Sequence, residues 1–164
     1  MKLTDKMQDV INKQINAEMW SANFYTSMSV HFASLGLNGF ANWLKVQSRE
    51  ELEHAEDMMQ YLLNRGGKVK IGAVDAVPVD FGTPLSIMQE LYKHECKVSE
   101  MIEHVVSVAS MEKDMPSQDF FWKYIREQVE EEANSSNIVD QLVLAGDNGS
   151  AILMIDRELN QRTV

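Results

Sequence analysis

Four long stretches of this chain place apolar side chains at three-and-four spacing, and each carries a carboxylate near the middle of its apolar stripe. The first stripe reads Met7, Ile11, Gln14, Glu18, Ser21, Tyr25, Met28, Phe32. The second reads Phe40, Leu44, Gln47, Glu51, His54, Met58, Leu62. The third reads Met88, Leu91, Glu95, Val98, Ile102, Val105, Ala109, and the fourth Phe121, Tyr124, Gln128, Glu131, Ser135, Ile138, Leu142. A helix with such a stripe must bury it, and several such helices bury their stripes against one another. Packing therefore carries four carboxylates inward. There an isolated charge is costly unless it is paired, protonated or bound to metal. His54 is the one stripe residue that can become cationic, and no Lys or Arg stands among them. A metal is the simplest compensation.

The breaks between stripes set the topology. Residues 4–33 read as the first helix, residues 34–37 end it, and Asn38 is placed to cap the second. The second runs to about Arg65, where Gly66-Gly67 offers a left-handed stop. Thr83-Pro84 opens the third as cap and first-turn proline, and that helix runs to about Glu112. Residues 114–117 form a short turn, with Ser117 as cap of a fourth helix reaching about Ala145. Beyond residues 146–149, a short fifth helix covers residues 150–160. Short turns make their flanking helices antiparallel. The connection over residues 67–82 is Val-rich, carries Pro78 and has no helical pattern. Extended, it can span about 50 Å, against about 42 Å for a helix of the second segment's length. It can therefore start the third helix at the far end of the bundle. The expected fold is all-α: a four-helix bundle with one long crossover and a short fifth C-terminal helix, as one domain over residues 1–164.

The four carboxylates then meet at one level. Glu18 and Glu51 lie at similar distances from the first turn, and Glu95 and Glu131 from the second, so each pair matches to within about one helical turn. Four carboxylates and one imidazole form an oxygen-rich, nitrogen-poor donor set, which suits iron or manganese better than structural zinc. Because a carboxylate can bridge two cations, five ligands can hold two metals. Glu51 and His54, at i and i+3, form the Glu-x-x-His unit of di-iron carboxylate bundles. Taken alone, such a pair is an ordinary surface hydrogen bond; its company on the other three stripes is what gives it weight.

Composition narrows the rest. With 25 acidic and 15 basic side chains the net charge is -10, which argues against a general nucleic-acid binder and suits a protein that attracts cations. Cys96 is the single cysteine, so a disulfide framework and any multi-cysteine metal site are excluded. At its helical position it turns away from the neighbouring Glu95 and reads as a packed thiol. No apolar run reaches the ~18 residues of a membrane span, and the opening MKLTDKMQDV lacks the apolar core of a secretory signal. A cytoplasmic protein is expected. His31, His94 and His104 fall off the ligand stripes and read as structural or surface residues.

Glu18, Tyr25, Glu51-x-x-His54, Glu95 and Gln128-x-x-Glu131, with the strings INAEMWSANFY, REELEHAE, YKHE and EQVEEE, make this chain resemble the bacterial non-haem ferritins over essentially its whole length. The resemblance implies a ferritin-like fold and a di-iron ferroxidase centre. Glu18 and His54 would hold the first iron, Glu51 would bridge, and Glu95 and Glu131 would hold the second with Gln128 close by. Glu50, Glu127 and Glu130 match acidic residues that form a third iron site in such ferritins, with Glu131 shared. Tyr25 matches a tyrosine near the centre that can donate an electron. The implied activity is oxidation of Fe(II) by O₂ or hydrogen peroxide, followed by storage of Fe(III) mineral in a homo-oligomeric hollow shell of twenty-four subunits. Leu52 stands where haem-containing relatives carry their haem-ligating methionine, and Gln128-x-x-Glu131 replaces their Glu-x-x-His, so no haem is expected. The rival reading is a ferritin-like di-iron oxidase or peroxidase that stores no iron.

Overall fold

The computed structural model describes residues 3–163. α1 spans Asp5–Ser34, α2 Asn38–Asn64, α3 Pro84–Met111, α4 Met115–Ala145 and α5 Gly149–Leu159, and there is no strand among the described residues. α1 packs on α2 and α3 on α4 as antiparallel hairpins; α1 also packs on α3, and α5 on α2 and α4. The expected all-α bundle with a short fifth helix is what forms.

The first three helices end alike. The residue past the last turn takes a positive φ: 77° at Gly36, 71° at Gly66 and 54° at Lys113. The next N–H then reaches back five residues, Leu37 to Phe32, Gly67 to Leu62 and Asp114 to Ala109. This closes carbonyls that the helix leaves open. Thr83 caps α3 through its side chain, as the sequence suggests, and Thr4 does the same for α1.

Two expected caps differ. Asn38 lies inside α2, and the cap position, Leu37, offers no side-chain bond. The free N–H of Phe40 donates instead to Asp156 Oδ1 of α5 at 2.9 Å. The start of α2 is buried against α5, so a long-range carboxylate replaces the local cap. Ser117 likewise lies inside α4; Asp114, three residues earlier, accepts from its N–H at 3.3 Å, while the Ser117 hydroxyl is turned to Asp114 and Tyr61.

The crossover runs along α1. Gln8 Oε1 accepts from Lys68 N at 2.6 Å, Asn12 Oδ1 from Lys70 N at 2.7 Å, and Asn16 Nδ2 donates to the Ala73 carbonyl at 3.0 Å. Ser27 Oγ donates to the Pro78 carbonyl at 2.6 Å. From Gln8 to Ser27 the helix rises about 28 Å, and ten extended residues cover about 33 Å, so the strand-like connection keeps pace with α1. It delivers α3 to the end of the bundle where α1 finishes.

The buried apolar side chains form two clusters rather than one. One gathers Tyr25, Met28, Phe32, Phe40, Trp43, Leu44, Met88, Leu91, Ile138 and Ile155 near α5. The other gathers Met7, Ile11, Ile15, Met58, Leu62, Val98, Ile102, Phe121 and Tyr124 at the opposite end. Between them Glu18, Ser21, Gln47, Glu51, Glu95, Gln128 and Ser135 are all buried. A polar layer crosses the middle of the bundle.

Candidate metal centre

Each helix delivers its polar residues to this layer because they occupy stripe positions that face the core. Glu18 on α1 is 1% exposed and Glu51 on α2 is 3% exposed. With His54, one turn beyond Glu51, they place ligand atoms within 4.8 Å of one another. His54 Nδ1 lies 3.6 Å from Glu51 Oε2 and 4.0 Å from Glu18 Oε2. Gln14 Nε2 donates to Glu18 Oε1 at 2.7 Å, but Glu18 Oε2 is buried without a hydrogen-bond partner. Such an oxygen costs about 1–3 kcal/mol or more when left alone. Its setting, beside a second carboxylate and an imidazole, fits a cation.

The other half of the layer is held by donors. Tyr25 OH donates to Glu95 Oε1, and Gln128 Nε2 donates to Glu95 Oε2 at 3.2 Å. Gln47 Nε2 donates to Glu131 Oε2 at 2.6 Å. Glu95 and Glu131 thus keep fixed carboxylates facing the Glu18–Glu51 pair.

Burial and mutual repulsion together keep protons on this layer. Burial drives the Glu18 carboxyl well above its usual range, and Glu51 adds to the effect. Burial first, then Glu95 and Glu131, raise Glu51 to about 8. Glu131 rises to about 7 through burial and the Glu95 charge. Glu95 is also raised by burial, with Tyr25 and Gln128 opposing. The four carboxylates are close enough to feel one another, and the folded chain gathers them at a cost that protons or metal ions offset. Burial and the neighbouring Glu95 likewise keep the Tyr25 phenol protonated.

The acidic residues expected to flank the centre are not brought to one point. Glu50 is paired with Arg162, Glu127 faces His54 Nε2 at 3.4 Å, and Glu130 is exposed on α4. His54 and Glu127 open onto a surface cleft between α2 and α4 that Glu53, Asp57 and Lys123 also line. His94 is a structural residue, as expected: it packs on Trp20, Phe24 and Tyr25, contacts Ser21 Oγ at 2.8 Å, and burial lowers it to about 4. Gln14 and Gln47 stand on the stripes read from the sequence, yet their task of orienting Glu18 and Glu131 shows only in the contacts. Arg162 lies outside every stripe, and no pattern in the sequence points to it.

A family model described as "Ferritin-like domain" matches residues 8–145. A bacterial non-heme ferritin of Bacteroides fragilis is 48% identical over 160 residues, covering 98% of this chain and 99% of the relative. One from Escherichia coli is 31% identical over 158 residues, covering 96% of each. Among solved structures, an open pore ferritin from the archaeon Archaeoglobus fulgidus superposes with a TM-score of 0.97 at 42% identity, over 99% of this chain and 100% of that one.

Proposed function

This chain belongs to the ferritin-like family, and from that membership we propose that it stores iron: it oxidises Fe(II) at the carboxylate layer and keeps the Fe(III) as mineral inside a homo-oligomeric shell of twenty-four subunits. The observation that carries the reading is the unpartnered Glu18 oxygen, buried against Glu51 and His54. Charge supports two ions rather than one. Four ionised carboxylates beside a neutral imidazole are balanced by two divalent cations, whereas one leaves half the charge buried and unanswered.

In this reading Glu18 and His54 hold the first Fe(II), Glu51 lies between the ions, and Glu95 and Glu131 take the second with Gln128 beside it. Binding first displaces the protons that the layer retains. Two Fe(II) then each lose one electron, and the pair reduces O₂ to hydrogen peroxide or hydrogen peroxide to water. Where only one Fe(II) is oxidised, Tyr25 can supply the second electron that the oxidant takes, its proton passing along the existing hydrogen bond to Glu95. The chain itself contributes fixed carboxylate positions and a dry surrounding. A third iron at Glu50, Glu127, Glu130 and Glu131 requires Glu50 to leave Arg162 and Glu127 to turn from His54.

Assembly is supported by apolar side chains that one chain leaves bare. Ile71 and Val79 on the crossover, and Leu144 and Met154 at the α4–α5 corner, are more than half exposed. No described helix is long and apolar enough to cross a membrane. From the family membership we propose a cytoplasmic location, which a single cysteine fits.

Rapid mixing with Fe(II) and O₂ tests the centre. Glu51→Ala is expected to slow the fast oxidation about a hundredfold or more while helicity and particle size persist. A fast phase that survives in that variant contradicts the reading.

A further inference from the structure

The segment after α5 is tied to the bundle and carries a cation to the metal layer. Asn42 Nδ2 donates to the Arg162 carbonyl at 2.9 Å and lies 3.5 Å from the Asn160 carbonyl. The Arg162 guanidinium sits over the Trp43 ring, its central carbon 4.6 Å from the centroid. From there Nη1 donates to Gln47 Oε1 at 2.6 Å, and Nη2 pairs with Glu50. Gln47 passes the contact on to Glu131 Oε2. One side chain, packed on an indole and carried on a backbone that an asparagine holds, therefore touches Glu50 directly and Glu131 through a single amide.

Resting on the iron-centre reading above, we propose that Arg162 is a tethered counter-cation of the metal centre. With no metal bound it holds Glu50 and, through Gln47, orients Glu131; a metal ion arriving on the Glu50–Glu131 side displaces it. Three features favour this over a staple that merely fastens the segment. A guanidinium stays charged at all relevant pH, so it can answer carboxylates whether or not protons are present. Its planar fork meets Glu50 and Gln47 at once, which a flexible ammonium does not match. Its pairing is also sheltered, the Arg162 side chain being 21% and the Glu50 side chain 35% exposed. A divalent cation and a guanidinium close to the same carboxylate repel each other, so occupancy by one weakens the other. Arg162 is in this sense a positioning residue, and its release would couple the segment after α5 to the filling of the centre.

The test uses the metal-stripped full chain and Zn(II), which binds carboxylate and imidazole without redox chemistry. Calorimetric titrations compare the unsubstituted chain with Arg162→Ala and Arg162→Lys. In Arg162→Ala the weaker Zn(II) site is expected to tighten about three- to tenfold, the strength of one sheltered charge contact. Arg162→Lys keeps the charge without the fork and should fall between the unsubstituted chain and Arg162→Ala. A second readout follows Trp43 emission in a Trp20→Phe, Trp122→Phe background, where Trp43 is the only remaining indole. Zn(II) should shift that emission when Arg162 is present and leave it unchanged in Arg162→Ala. Unchanged or weaker Zn(II) binding in Arg162→Ala overturns the proposal, as does an equal emission shift in both backgrounds. Absence of any tight Zn(II) site in the unsubstituted chain overturns the centre itself and the role of Arg162 with it.

Discussion

Glu51 carries the strain of the carboxylate layer in one side chain. It is nearly fully buried, it lies between Glu18 and the Glu95–Glu131 half, and burial with those charges raises it to about 8. A carboxyl raised in the folded state binds a proton that the unfolded chain has already released. The contribution of this carboxyl to the stability of the metal-free protein is therefore fully present below the ordinary glutamate range near 4.5 and is lost as pH climbs toward about 8. Glu131, raised to about 7, adds to the same slope. The metal-free thermal midpoint is expected to fall by several degrees between about pH 5 and about pH 8, a loss on the order of a few kcal/mol. Glu51→Gln, which keeps the amide-sized side chain without the charge, should flatten that fall, and Zn(II) at pH 8 should reverse it. A midpoint that holds level or rises across this range in the unsubstituted chain contradicts the picture of an uncompensated carboxylate layer.

At the scale of elements, α5 is joined to the bundle through one close approach. The Gly39 backbone lies so near Asp156 that a Cβ there would stand 1.5 Å from the Asp156 carbonyl oxygen. Asp156 meanwhile supplies the cap that α2 lacks. Gly39→Ala should push α5 off and cost about 1–3 kcal/mol, by the measure of overpacked cores. Asp156→Ala should cost about 1 kcal/mol as a lost cap, and Asp156→Asn much less. Urea midpoints, with proteolysis of the chain beyond Ala145 as a local reporter, check the set; a Gly39→Ala protein with an unmoved midpoint would show that α5 is not seated there. These long-range ties leave no local pattern in the sequence. The four helices and the central carboxylates were legible because each sits on a periodic stripe, and an acid at Glu18 or Glu95 breaks that stripe audibly. Thr83 and Gly66 announce their helix ends through local chemistry, while Thr4, the cap of α1, reads in the sequence as part of the helix. Asp156, Arg162 and the Gln8, Asn12 and Asn16 anchors of the crossover act across more than fifty residues of chain, on partners no local pattern names. The same distance explains why Asn38 is not the cap of α2, whereas Ser117 yields to Asp114 only three residues before it.

Across the whole molecule, a polar layer separates two apolar clusters, so the candidate metal centre sits where the bundle can best exclude water and least afford unpaired charge. The bare apolar residues of the crossover and the α4–α5 corner lie apart from that layer, so the proposed assembly and the proposed iron centre draw on different parts of the bundle. Storage requires both: a centre that oxidises and an enclosed volume that retains the product. Adding a few hundred Fe(II) per chain in air and separating the mixture by size, with iron and protein detected together, asks for both at once. Soluble iron is expected in large excess over two ions per chain, travelling with protein on a particle of several hundred kilodaltons. Iron limited to about two per chain on a small particle would contradict storage and leave a di-iron oxidase in its place.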